Sequence, residues 1–228
     1  MSIRLAKRMI ENMAGRSPKS DAPIASVEGP IGKLKVGGVL DLAPAVATFV
    51  MAQSAGSLVK PLQLSSIIKA HGKTDSGPYT IHRFYIDDAF LQIVTMHGLP
   101  VADEVRFFSH LAEVNPQDTF EWDLWLKGVN GNPPLLTGPS IFWDETYNFT
   151  RMWGGNASDV KPIRSVEWID NGEYRSSLSL QSMRYGRKLG GTDRDEWLQL
   201  AVVQDDAGDT WIEAYVGLTI ATGEVNAI

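Results

Sequence analysis

From Thr210 to Ile220 every second residue is apolar: Ile212, Ala214, Val216, Leu218 and Ile220. Side chains share a face at a spacing of two only in an extended strand, so this run does not fit a helix with one buried stripe. Glu213 and Thr219 fall on the opposite side, which predicts one face toward the core and one toward water. The run Trp197–Gln204 precedes it, and Asp205-Asp206-Ala207-Gly208-Asp209 between the two has the composition of a hairpin turn. A lone hairpin is marginal in water, so further strands must complete a sheet around this one.

The same pattern recurs upstream. Tyr79–Ile86 alternates, with His82, Phe84 and Ile86 on one side and Arg83 and Tyr85 on the other. Asp87-Asp88-Ala89 follows, and aspartate bonds its own backbone in tight turns. Phe90–Thr95 then returns as the second strand. The two hairpins echo each other: Phe90-Leu91-Gln92-Ile93 resembles Trp197-Leu198-Gln199-Leu200, and Arg83-Phe84-Tyr85 has its counterpart in Arg184-Tyr185. Duplication of one β-unit and chance similarity both account for the echo.

Other segments carry weaker signals. Leu34, Val36, Val39 and Leu42 flank Gly37-Gly38 and predict two short strands with a bulge or turn. Ala45–Gln53 and Leu62–Ala70 read as strands. Ala102–Val114 places Val105, Phe108, Leu111 and Ala112 at helical spacing before Asn115-Pro116, which predicts one internal helix. Phe120, Trp122, Leu124 and Leu126 alternate and predict a strand. The expected fold is therefore mainly β (α+β): antiparallel hairpins in one sandwich- or barrel-like unit, with two related halves as an option.

Three regions are expected. Residues 1–15 form a basic amphipathic helix, with Ile3, Ala6, Met9, Ile10 and Met13 on one arc and Arg4, Lys7, Arg8 and Glu11 opposite. Such a helix suits its own body, an anionic membrane surface or a partner's groove. Residues 16–31 have the Pro- and Ser-rich composition of a flexible linker. Residues 32–228 form the mostly-β domain. The start of the chain lacks the apolar core and cleavage site of a secretory signal, and no apolar run approaches the roughly 20 residues of a spanning helix.

Composition narrows the chemistry. A net charge of −6 argues against general nucleic-acid binding. With no cysteine, thiolate catalysis, disulfides and thiolate-held metals are excluded. The 4 histidines have no helical metal-pair spacing, and no nucleophile elbow, phosphate loop or dinucleotide fingerprint follows a strand. No cofactor and no metal are therefore expected, and no catalytic residue is assigned. Candidate ligand-binding residues are His82, Arg83, Tyr85, Asp87, Asp88, Arg184 and Trp197, since carboxylates and aromatic faces together suit a cation. Within the hairpins, Arg83 is expected to pair with Asp87 or Asp88, and Arg184 with Asp195 or Glu196.

The run from His82 through Arg83-Phe84-Tyr85 and Asp87-Asp88-Ala89-Phe90-Leu91-Gln92 to Thr95, the arginine-rich stretch Tyr174–Leu189 and the hairpin Glu196–Ile220 resemble the YjfK-like family of uncharacterised bacterial proteins. The resemblance spans about residues 32–225. It carries no activity over. It implies a setting beside phage-shock-type membrane-remodelling proteins, and so a cytoplasmic, non-enzymatic accessory or adaptor in bacterial envelope stress, peripheral to the inner membrane. The partner would be a protein, such as a phage-shock-type coat protein, with membrane contact through residues 2–15. The alternative is a protein that binds, or acts enzymatically on, a polyamine-like small cation.

Overall fold

A computed structural model describes residues 33–53, 56–60, 63–157 and 160–227. The helix expected over residues 1–15 and the linker over 16–31 lie outside the described residues. In chain order the elements are β1 (Val39–Leu42), α1 (Pro44–Ala52), β2 (Ser65–Ile67), β3 (Ala70–Ser76), β4 (Tyr79–Tyr85), β5 (Ala89–Met96), β6 (Leu99–Val114) and α2 (Thr119–Leu126). They continue with β7 (Ser140–Trp143), β8 (Tyr147–Arg151), β9 (Ile163–Asp170), β10 (Arg175–Lys188), β11 (Asp195–Asp205), β12 (Thr210–Thr219), a 3-10 turn (Thr222–Glu224) and β13 (Val225–Ala227).

Eight antiparallel strands close into a barrel in the order β3-β4-β5-β6-β12-β11-β10-β9, with β9 returning to β3. The bond between β10 and β11 is long, running from Leu178↔Asp205 to Lys188↔Asp195. The closing seam between β3 and β9 is short and consists of His71↔Asp170, Gly72↔Ile169 and Lys73↔Trp168. Strand β10 pairs with β9 in its first half and with β8 near its end, so the β7–β8 hairpin leaves the ring there. Strands β13, β1 and β2 form a separate small sheet.

The barrel wall is apolar on its outer side because other elements cover it. Phe84, Leu91, Ile93, Val105 and Phe107 face out under Leu40, Leu42 and Val225 of the small sheet. Val50 of α1 packs with Val216 and Leu218, while Ile141 and Phe149 of the β7–β8 hairpin pack with Tyr185, Leu198 and Ile212. One end of the interior is filled by Tyr85, Phe90, Phe108, Trp211 and neighbouring residues. Each such side chain contributes about 1.5–3 kcal/mol by leaving water. Strand β12 is thus buried on both faces: Glu213 lies inside the barrel at 1% exposure, not in water as alternation predicts.

The mainly-β, barrel-like expectation agrees with the structure, but several local expectations do not: of the two short strands expected around Gly37-Gly38, only β1 forms among the described residues. The internal helix expected over Ala102–Val114 is strand β6. Its outward Val105 and Phe107 and inward Phe108 are all buried, so burial on both faces mimics a helical spacing. Phe120–Leu126, expected as a strand, lies in α2. Asp118 is its N-cap, accepting from the Glu121 amide at 2.9 Å, while the Glu121 carboxylate accepts from the Gln117 amide at 2.7 Å. Such a cap stabilises a helix by about 0.5–2 kcal/mol and here overrides an alternation only a few residues long. Ala45–Gln53 is likewise mostly helical, opened by Pro44, whose fixed φ suits a first turn.

Candidate functional site

Strand alternation decides which residues enter the barrel. Ile81, Arg83 and Tyr85 of β4 point inward, while His82 and Phe84 point outward. Across β5 the inward partner of Arg83 is Gln92, and across β11 the partner of Arg184 is Gln199. The sequence echo is therefore also a geometric one. Above these residues a cavity of about 400 Å³ opens at the barrel end formed by the β3–β4 and β5–β6 hairpins and the start of β9. Arg83, Glu104, Arg184 and Gln199 line its floor, Ile81, Val94 and Val101 its wall on β4–β6, and polar residues of β3 and β9 the wall opposite.

The charges beneath the cavity are paired unequally. Arg83 donates from Nη1 to Glu167 and from Nε to Gln92 Oε1 at 3.3 Å. Tyr85 donates its hydroxyl to the other oxygen of Glu167 at 3.0 Å. Burial opposes the charge of Arg83, but Glu167, Tyr85 and Tyr215 together outweigh it and raise the arginine's pKa. Burial, reinforced by Glu167, pushes Tyr85 well up, so it stays a neutral donor. Gly72 makes room for this cluster, since a Cβ there would sit 1.9 Å from Glu167 Oε1. Arg106 grips Glu104 with both terminal nitrogens and lies 4.6 Å above the Trp197 ring.

Arg184 is different. It lines the cavity, its Nε is buried without a hydrogen-bond partner, and it forms no ion pair among the described residues. Burial comes first, then repulsion from Arg106 and Arg83 against partial relief from Glu104, and together they push its pKa down to about 9. A guanidinium short of counter-charge in a low-dielectric cavity favours an incoming anion.

The structure sorts the sequence candidates into three places. Arg83, Arg184, Tyr85 and Trp197 all enter the barrel, where Trp197 donates Nε1 to Thr219 Oγ1 at 2.8 Å. His82 sits on the outer wall, its Nδ1 3.0 Å from His71 Nε2. Both imidazoles are buried, and burial lowers each pKa to about 4, with further lowering from His82 on His71 and from Lys73 on both. Asp87 and Asp88 are exposed at the far end of β4 from the cavity, with Asp87 bonded to Lys69. The pairing expected of Arg83 with Asp87 or Asp88 is replaced by Glu167, and Glu196 pairs with Arg187 at 2.5 Å rather than with Arg184.

Sequence reasoning missed Glu104, Arg106, Glu167 and Gln199. The available signal, an inward arginine opposite an inward glutamine in each hairpin, reaches Gln199 but not Glu104, Arg106 or Glu167. Among the described residues no three histidine, aspartate or glutamate side chains converge to hold a metal ion, and no helix is long and apolar enough to cross a membrane.

No curated protein and no solved structure matches the chain. A family match extends over residues 9–226, reaching back into the stretch before residue 32 that the YjfK-like resemblance does not cover. The chain belongs to that family, described as a protein of unknown function (DUF2491).

Proposed function

We propose that the barrel binds a small organic anion, its acidic group seated on Arg184 at the floor of the mouth cavity. The observation that carries this reading is the unpaired Arg184 Nε beside two other arginines, each of which already has its own carboxylate. A guanidinium fork matches a carboxylate or phosphate, and such charge-assisted bonds are roughly twice as strong as neutral ones. An eight-stranded barrel has room for one small ligand, and the cavity volume falls within the usual range for ligand sites. The polyamine-like cation expected from the sequence finds less support. Asp87 and Asp88 lie away from the cavity, both oxygens of Glu104 are engaged by Arg106, and Asp75, which lines the cavity, already pairs with Lys73 and accepts from Thr80.

Calorimetric titration of the full chain with octanoate, octyl phosphate and octylamine tests the reading. The two anions should bind, and Arg184→Gln should weaken them at least about tenfold, the size of one lost charge-assisted bond. Equal affinity for the amine, or anion binding indifferent to Arg184→Gln, would overturn it.

A second reading keeps the chain among YjfK-like accessory proteins in envelope stress, held to a coat protein or membrane through residues 2–15. One observation favours a partner surface: Val166 and Trp168 on the outer side of β9 are 46% and 52% exposed. Tryptophan is enriched at binding hot spots. Capture of a coat protein from the native host should then fall with Trp168→Ser, and unchanged capture would remove this support.

A further inference from the structure

Polarity changes along the barrel axis. The floor of the cavity is charged, its wall on β4–β6 is Ile81, Val94 and Val101, the wall on β3 and β9 is polar with Thr74, Asp75 and Ser165, and the apolar Tyr79 and Ile163 stand at its mouth. Tyr79, Met96 and Leu99 are direct neighbours across β4, β5 and β6, as the pairs Tyr79↔Met96 and Met96↔Leu99 show. Tyr79 stands two residues from Ile81, and Met96 two from Val94, so this row continues the inward side of the wall. The three side chains are nevertheless 43%, 42% and 60% exposed, and Ile163 across the opening is 52% exposed.

Tight turns fix the row. His97 and Gly98 both have positive φ, 53° and 84°, the signature of a two-residue hairpin turn between Met96 and Leu99. Gly77, at φ 60°, opens the equally short turn before Tyr79. Inward-facing apolar side chains held at an open mouth have no core to fill, in contrast to the other end of the barrel, which Phe90, Phe108 and Trp211 plug. From Arg83 to Tyr79 the strand rises about 13 Å, so a ligand whose acid reaches the floor passes the whole apolar wall before it meets the lip.

We infer that the ligand is a single-chain amphiphile, bound with its acidic head on Arg184 and its apolar chain running up the wall to Tyr79, Met96 and Leu99. This rests on the anion-binding reading above and adds the class of the rest of the molecule. Titration of the full chain with butanoate, hexanoate, octanoate, decanoate and dodecanoate, each below its micelle concentration, tests it. Affinity should rise with length, by up to about fourfold per methylene buried, and level off once the chain clears the lip. The double change Met96→Ser, Leu99→Ser alters only exposed side chains; it should weaken decanoate about tenfold and leave butanoate unchanged. A flat series in which carboxylates still bind through Arg184 would overturn the amphiphile and leave the anion reading standing. Failure of every carboxylate to bind, with octyl phosphate also silent, would overturn both.

Discussion

Arg83 and Arg184 occupy matching places in two hairpins, each inward-facing and each directly across from a glutamine, Gln92 in one and Gln199 in the other. Their surroundings differ in one respect. Both line the cavity, but Arg83 meets the buried carboxylate of Glu167, whereas Arg184 has no ion pair among the described residues. Burial disfavours the charge of both, but only Arg83 has partners, Glu167 foremost, that together reverse the effect. The same residue in the same register is thus a structural tie in one hairpin and a receptor for outside charge in the other. The deciding factor lies on a third strand, β9, which supplies Glu167 to one arginine and not to the other.

The largest effect expected from this difference is on stability. Arg83→Met leaves Glu167 buried without a counter-charge and should lower the unfolding free energy by about 3–5 kcal/mol in a urea titration. A loss below about 1 kcal/mol would show that the pair is no tie. Next in size, adding Glu167→Leu to Arg83→Met should restore most of that loss, because a buried pair replaced by apolar side chains is often neutral. If the double variant is as unstable as the single one, the surrounding polar cluster, and not the lone charge, sets the cost.

Arg184→Met gives the contrasting result. It removes a repelled charge, so stability should move by less than about 1 kcal/mol while octanoate binding is lost. A loss as large as that of Arg83→Met would erase the comparison. The smallest effect concerns pH. A guanidinium is charged below its pKa, so octanoate affinity should decline as pH rises through about 9, the value to which Arg184 is pushed. The carboxylate is ionised throughout that range. Affinity that stays flat to pH 11 would mean that Arg184 keeps an ordinary arginine pKa.

Much of the barrel is legible in the sequence, and the reason is local. Strands β4, β5, β11 and β12 sit in hairpins whose alternation and turn residues lie within a few positions of one another. The helix α2 is signalled too, by Asp118 and Glu121, but Asn115-Pro116 reads equally as the stop of a preceding helix. Strand β6 defeats periodicity because apolar residues are buried on both of its faces, Val105 and Phe107 outside and Phe108 inside. The site is half legible: Arg83 and Arg184 stand out through the echo, together with Tyr85 and Trp197. Their carboxylates do not, since Glu167 reaches Arg83 from a strand 84 residues away and no local pattern announces that meeting. Asp87 and Asp88, conspicuous in sequence, serve an exposed turn.

The short seam has a consequence for motion. Strands β3 and β9 hold the ring closed through only three residue pairs, and their members are nearly a hundred positions apart, as His71↔Asp170 shows. Such a link repays its loop-closure entropy late in folding and opens with less free energy than the long β10–β11 ladder. Thr74 and Asp75 of β3 and Arg164 and Ser165 of β9 line the cavity just beyond the last pair. Backbone amides at the seam should therefore exchange with deuterated solvent sooner than those of β11. An occupant of the cavity should slow them, acting as a latch on the ring's weakest link.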